Sequence, residues 1–128
     1  MKNDTATILF AHGARDPEWA RPVEALRARI LANSKTAEVR TAFLEFMTPT
    51  LDAAIDGLVA DGARTITVVP VFLAQGGHVK RELPEMMERA RERHPALQIV
   101  LAGVIGEQVE VIDAMAEAVA RMTAPSRG

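Results

Sequence analysis

The sequence predicts a single α/β domain: a four-stranded parallel sheet with helices on both faces. Two observations carry this. The hydrophobic period alternates four times between short runs rich in β-branched and large apolar residues and longer stretches with apolar residues three and four apart. The apolar runs are also near-continuous, as strands buried on both faces require. The length, 128 residues, suits one compact domain, here assigned to 1–122, with 123–128 as a flexible tail.

The first strand is expected over 7–11 (TILFA), and the first helix carries Trp19, Val23, Leu26 and Ile30 on one face. Asp16-Pro17 should open that helix, a capping residue followed by proline at the first helical position. A second strand over 39–44 (VRTAFL) leads to a helix with Leu51, Ile55, Leu58 and Val59, opened by Thr48-Pro49 and closed by Gly62. The third strand, 65–73 (TITVVPVFL), is followed by a long loop over 75–83. Pro84 should start the third helix, because proline disfavours helical geometry at Leu83. That helix carries Met86, Met87 and Ala90 and ends at His94-Pro95. The fourth strand, 98–104 (QIVLAGV), precedes a helix with Val109, Ile112, Met115, Ala116 and Val119. Right-handed crossovers favour strand order 2-1-3-4. Met86, Met87, Met115 and Met122 read as core fillers rather than thioether ligands.

Composition removes several classes of function. No cysteine means no disulfide, thiolate metal site or cysteine nucleophile. Fifteen basic against 17 acidic residues leave no basic excess for nucleic acid or an anionic membrane. The apolar runs are too short to span a bilayer, and the N-terminus enters a strand without a signal-peptide core, so a cytoplasmic location is expected. The only serines, Ser34 and Ser126, stand in no Gly-x-Ser-x-Gly turn, and no glycine-rich phosphate loop is present. Among the usual catalytic groups this leaves histidine and carboxylate, with a metal as the natural third party.

Ligands of open parallel sheets sit beyond the carboxyl ends of the strands. There the sequence places His12, then Glu45, and after the third strand His78. Adjacent strands lie about 4.8 Å apart, and imidazole binds metals at about 2.0–2.1 Å, so two such histidines are able to share an ion. Either histidine alone is more often a hydrogen-bonded loop residue. Their joint placement beside Gly13 and Gly76-Gly77, where backbone can approach a ligand, favours function. His94, in the last turn of a helix, takes the structural reading. Met47 is a candidate pocket wall.

Three segments carry a family resemblance: HGARDPE from His12, AFLE from Ala42 with Pro49 beyond it, and VPVFLAQGGHVKRELP from Val69. In order and over nearly the whole chain they resemble the sirohydrochlorin cobaltochelatase/ferrochelatase family in its short, single-domain form. The third segment is the most specific. The chain departs from the family pattern at Ala14, where serine is usual, and at Glu82, where aspartate is common.

The resemblance implies ATP-independent insertion of a divalent metal (Co²⁺, Fe²⁺ or Ni²⁺) into a tetrapyrrole, with the metal as substrate and no organic cofactor. It implies that His12 and His78 bind the metal and serve catalysis with Glu45, which either transfers a proton or delivers the ion, or else orients a histidine. Imidazole, titrating near pH 6.5 when unperturbed, suits a site that must accept pyrrole protons and release a metal. Around the ring, Gly13, Arg15, Met47, Gly77, Lys80 and Arg81 are candidate substrate contacts, the cations toward peripheral carboxylates. Phe46 and Leu73 are candidates for an apolar wall, whereas Phe43 and Phe72 fit strand packing better. Longer members are built from two such halves, so a chain of this length is expected to pair with a copy of itself. Two alternatives stay open: a non-catalytic metal- or tetrapyrrole-binding protein of the same fold, favoured by Ala14, and a flavodoxin-like interaction domain, which leaves the strand-end histidines unexplained.

Overall fold

The computed structural model describes residues 4–125. The expectations for the extreme N-terminus and for the last part of the tail, 126–128, fall outside them. Four parallel strands, β1 (Thr5–Ala11), β2 (Val39–Phe43), β3 (Thr65–Pro70) and β4 (Gln98–Leu101), pair in the order β2-β1-β3-β4, as expected. The α-helices are α1 (Arg21–Asn33), α2 (Leu51–Ala60), α3 (Gly77–Arg93) and α4 (Val109–Met122). Two short 3₁₀ turns, Pro17–Ala20 and Ile105–Glu107, stand before α1 and α4.

Strand alternation divides the core in two. Ile8, Phe10, Ala42, Ile66, Val68 and Ile99 point to one face, where Leu51, Ile55 and Leu58 of α2 and Val79, Leu83, Met87 and Ala90 of α3 close over them. Leu9, Val39 and Phe43 point to the other, against Val23 of α1, with Leu26 and Ile30 half-buried beside it. Each fully buried aliphatic side chain contributes about 1.5–3 kcal/mol. No buried residue is polar or charged among the described residues.

Several boundaries differ from the sequence expectation, each for a local reason. Asp16 does act as a cap, accepting from the Glu18 amide at 3.0 Å, but it caps the 3₁₀ turn, and α1 starts only at Arg21. Thr48-Pro49, a cis peptide, precedes α2 without opening it; Thr50 is the cap, its hydroxyl accepting from the Ala53 amide at 3.2 Å. Strands β3 and β4 stop three residues short of the apolar runs. Phe72 continues into the core as loop, and Val104 is buried just before the second 3₁₀ turn.

The largest correction concerns α3. It begins at Gly77 rather than Pro84, so 75–83 is mostly helix and Pro84 lies inside it. A proline there forfeits one helical hydrogen bond and costs up to about 3 kcal/mol. Burying Val79, Leu83, Met87 and Ala90 along one face outweighs that. Met87 is fully buried and Met86 half-buried, as expected of core fillers, but Met115 and Met122 are exposed and α4 buries no residue. His94 ends α3, donating its amide to Ala90 and placing Nε2 2.7 Å from Asp56 Oδ1 on α2, in keeping with the structural reading. No helix among the described residues is long and apolar enough to cross a membrane.

Candidate active site

The carboxyl ends of β1, β2 and β3 run on as a short extension of the sheet. The Leu44 amide donates to Ala11 O at 2.9 Å and the Glu45 amide to His12 O at 3.1 Å. On the other side of β1, the Val71 amide donates to Phe10 O at 2.8 Å. His12 and Glu45 therefore project from backbone that is still laddered.

Gly13 makes this approach feasible. Its φ is +82°, and a Cβ there would lie 2.1 Å from Glu45 O, so no other residue fits without moving the loop. By contrast Gly76, the residue capping α3, and Gly77 have open space where a Cβ would stand.

His78 sits in the first turn of α3, exposed, with Nε2 2.9 Å from Glu82 Oε2 one turn later. His12, Glu45, His78 and Glu82 line one cleft of about 400 Å³, floored by Leu44 and Val79. The His12 ring lies against buried Phe72, ring centres 4.5 Å apart, which fixes the imidazole from behind. Among the described residues no set of three or more His, Asp or Glu converges tightly enough to enclose an ion. The groups line an open cleft instead.

Arg15 and Met47 line a second cleft beside it, about 430 Å³, with Ala14, Phe43 and Phe46. Ala14 thus borders this neighbouring cleft, apart from the histidines. The Arg15 guanidinium lies over the Phe46 ring, 5.0 Å from its centre. Phe46 is 58% exposed and held at φ +66°, a left-handed conformation costly for a bulky residue. Leu73 is likewise exposed, while Phe43 and Phe72 are buried, dividing the four apolar candidates as the sequence suggested. Lys80 and Arg81 are exposed on α3 and line neither cleft.

Glu82 is the addition sequence reasoning left outside the site. Its signal is the four-residue spacing from His78, which places both on one helical face only once α3 is extended back to Gly77. The left-handed Phe46 had no signal in the sequence.

A parallel sheet in the order 2-1-3-4, with imidazoles and carboxylates gathered over its carboxyl edge, is an α/β domain of the chelatase-like fold. The chain belongs to the CbiX family, whose model matches residues 6–122. It is similar to the sirohydrochlorin cobaltochelatase of Priestia megaterium, 33% identical over 108 residues, covering 84% of this chain and 35% of that protein. Its structure superposes on the putative cobalamin biosynthesis CbiX protein of Marinobacter aquaeolei with a TM-score of 0.83 at 31% identity, covering 95% and 99% of the two chains. It superposes on SirB from Bacillus subtilis with Fe³⁺ with a TM-score of 0.79 at 28% identity, covering 98% of this chain and 49% of that one. The chain spans about half the length, or less, of several curated relatives it matches.

Proposed function

We propose that this protein inserts a divalent metal, Co²⁺, Fe²⁺ or Ni²⁺, into sirohydrochlorin or a related tetrapyrrole without ATP. The observation that carries the reading is the cleft in which His12, Glu45, His78 and Glu82 stand together over the carboxyl ends of the strands. Relatives named as cobalto- and ferrochelatases support the same chemistry.

Insertion exchanges the two pyrrole N–H protons of the macrocycle for the ion, so the site must present a metal and remove two protons. His12 and His78 hold the ion through neutral imidazole nitrogens, a donor set that releases it more readily than thiolates would. Glu82, bonded to His78, orients that ring. Glu45, exposed beside His12, accepts the two pyrrole protons in turn and passes each to solvent. Arg15 pairs with a peripheral carboxylate of the substrate, Lys80 and Arg81 attract others from α3, and Phe46 with Leu73 offers exposed apolar surface to the ring. One domain supplies a single wall for so large and flat a substrate. A second copy provides the other, a reading supported by the length of SirB, about twice that of this chain.

The test is anaerobic incubation with sirohydrochlorin and each of the three metals, singly and in competition, following the change in the macrocycle's visible absorption. Turnover above the uncatalysed background is expected, and the competition names the metal. A rate equal to background with all three, together with retained metal or tetrapyrrole binding, would instead establish a binding protein.

A further inference from the structure

The loops after β1 and β2 build two clefts at once. His12 and Glu45 line the first, and the residues that follow them, Ala14, Arg15, Phe46 and Met47, line the second. On the β2 side the change of cleft falls at Phe46, whose φ of +66° is left-handed. That conformation is costly for a bulky side chain and persists only where the surroundings impose it. Burial does not impose it here, because Phe46 is 58% exposed. What the ring touches is a cation: the Arg15 guanidinium lies over it, 5.0 Å from its centre, inside the reach of a cation–π contact.

Arg15 differs from the arginines that stitch the surface together. Arg21 pairs with Glu18 at 2.7 Å and Arg93 with Asp56 at 3.1 Å. Arg15 has no carboxylate partner among the described residues. The acids around it are engaged elsewhere. Asp16 accepts from the Glu18 amide at 3.0 Å, Glu18 is taken by Arg21, and Glu24, which lines the same cleft, accepts from the Thr41 hydroxyl at 3.1 Å. The ring attracts the cation without occupying its N–H donors, which stay available to an anion. The second cleft, about 430 Å³, therefore holds a guanidinium that is positioned but not neutralised.

We infer that Phe46 is a positioning residue for substrate recognition: its ring holds Arg15 in the second cleft, where the guanidinium pairs with one acid arm of the tetrapyrrole. The inference deepens the proposed function and rests on a tetrapyrrole being the ligand. It gives the left-handed Phe46 a task beyond that of an apolar wall. An arginine side chain loses much rotamer freedom when it binds, and a ring that restricts it beforehand reduces that loss. The pair thus selects macrocycles that carry a carboxylate at this position. Because the same two loops carry His12 and Glu45, an arm seated in the second cleft sets the macrocycle's place over the first.

The test is a double-mutant cycle. Phe46→Leu keeps an apolar side chain but removes the aromatic face, and Arg15→Gln removes the charge; both positions are exposed, so both variants should fold. Binding of metal-free sirohydrochlorin is read from quenching of Trp19, the single tryptophan, which is 69% exposed on the 3₁₀ turn before α1. Insertion kinetics then separate KM from kcat. Arg15→Gln should raise Kd and KM about tenfold, as loss of a charged hydrogen bond does. Phe46→Leu should raise both about threefold, as loss of an exposed cation–π contact does, with the effect on KM rather than kcat. In the Arg15→Gln background Phe46→Leu should change neither, and Phe46→Tyr, which keeps the aromatic face, should bind within about twofold of the parent. A Phe46→Leu penalty of equal size with and without Arg15 would overturn the inference, since the ring would then act on the macrocycle directly. Parental affinity in Phe46→Leu would overturn it as well. A parent that binds sirohydrochlorin without inserting metal would sink the chelatase reading alone, because the coupling is still read from Kd. A parent that does not bind it would overturn both.

Discussion

Replacing Gly13 by alanine tests how the site is assembled. Alanine at φ +82° costs about 1–2 kcal/mol for the left-handed conformation alone. The added Cβ would stand 2.1 Å from Glu45 O, so the loops after β1 and β2 must separate. Their separation breaks the bond from the Glu45 amide to His12 O, worth about 0.5–1.5 kcal/mol. The expected loss is about 2–3 kcal/mol, which in a domain of this size lowers Tm by roughly 10 °C. Gly76→Ala is the control: its φ is −70° and nothing lies within 4 Å of the new methyl, so its Tm should stay within about 2 °C of the parent. Thermal unfolding followed by far-UV circular dichroism measures both. Gly13→Ala should also lose metal insertion disproportionately below its Tm, because His12 and Glu45 move apart. A Gly13→Ala protein as stable and as active as its parent would refute the claim that this close approach builds the site.

Other consequences follow from single contacts. Pro84→Ala restores a helical N–H inside α3 and should raise stability by about 1–2 kcal/mol in urea unfolding; no gain would mean that α3 is broken there in solution. Phe46→Gly relieves the left-handed strain and removes an exposed ring, so Tm should not fall while KM for the tetrapyrrole rises; an unchanged KM would remove Phe46 from the substrate wall. Asp56 is held below the usual carboxylate range by its hydrogen bond from His94 and then by Arg93. Because its folded-state pKa is depressed, its stabilising contribution is fully present above about pH 4 and is lost as the pH falls through the folded value. Asp56→Asn should thus lower stability at pH 7 and converge with the parent in acid. A difference that grows toward low pH would contradict this.

The fold was legible in the sequence because strand and helix differ in hydrophobic period, and four alternations admit few topologies. The positions of His12 and Glu45 were legible for the same reason: they stand one and two residues beyond β1 and β2, and strand ends converge. The start of α3 was not, because a proline signal at Pro84 competed with a four-residue apolar repeat from Val79 to Leu83 and Met87, and burial decided the contest. That error hid the pairing of Glu82 with His78. The burial of α4 was misjudged for a different reason. An apolar helical stripe shows that a helix is amphipathic, without saying what, if anything, packs on it, and here the stripe is exposed.

The most direct test of the central claim compares metal insertion into sirohydrochlorin by the parent protein with that by His12→Ala and His78→Ala, under anaerobic conditions and at equal protein concentration. Both histidines are exposed, so both variants should fold with unchanged far-UV spectra. Insertion by each should fall to the uncatalysed rate. Retained turnover in both would contradict the assignment of the reaction to the cleft between His12, Glu45 and His78.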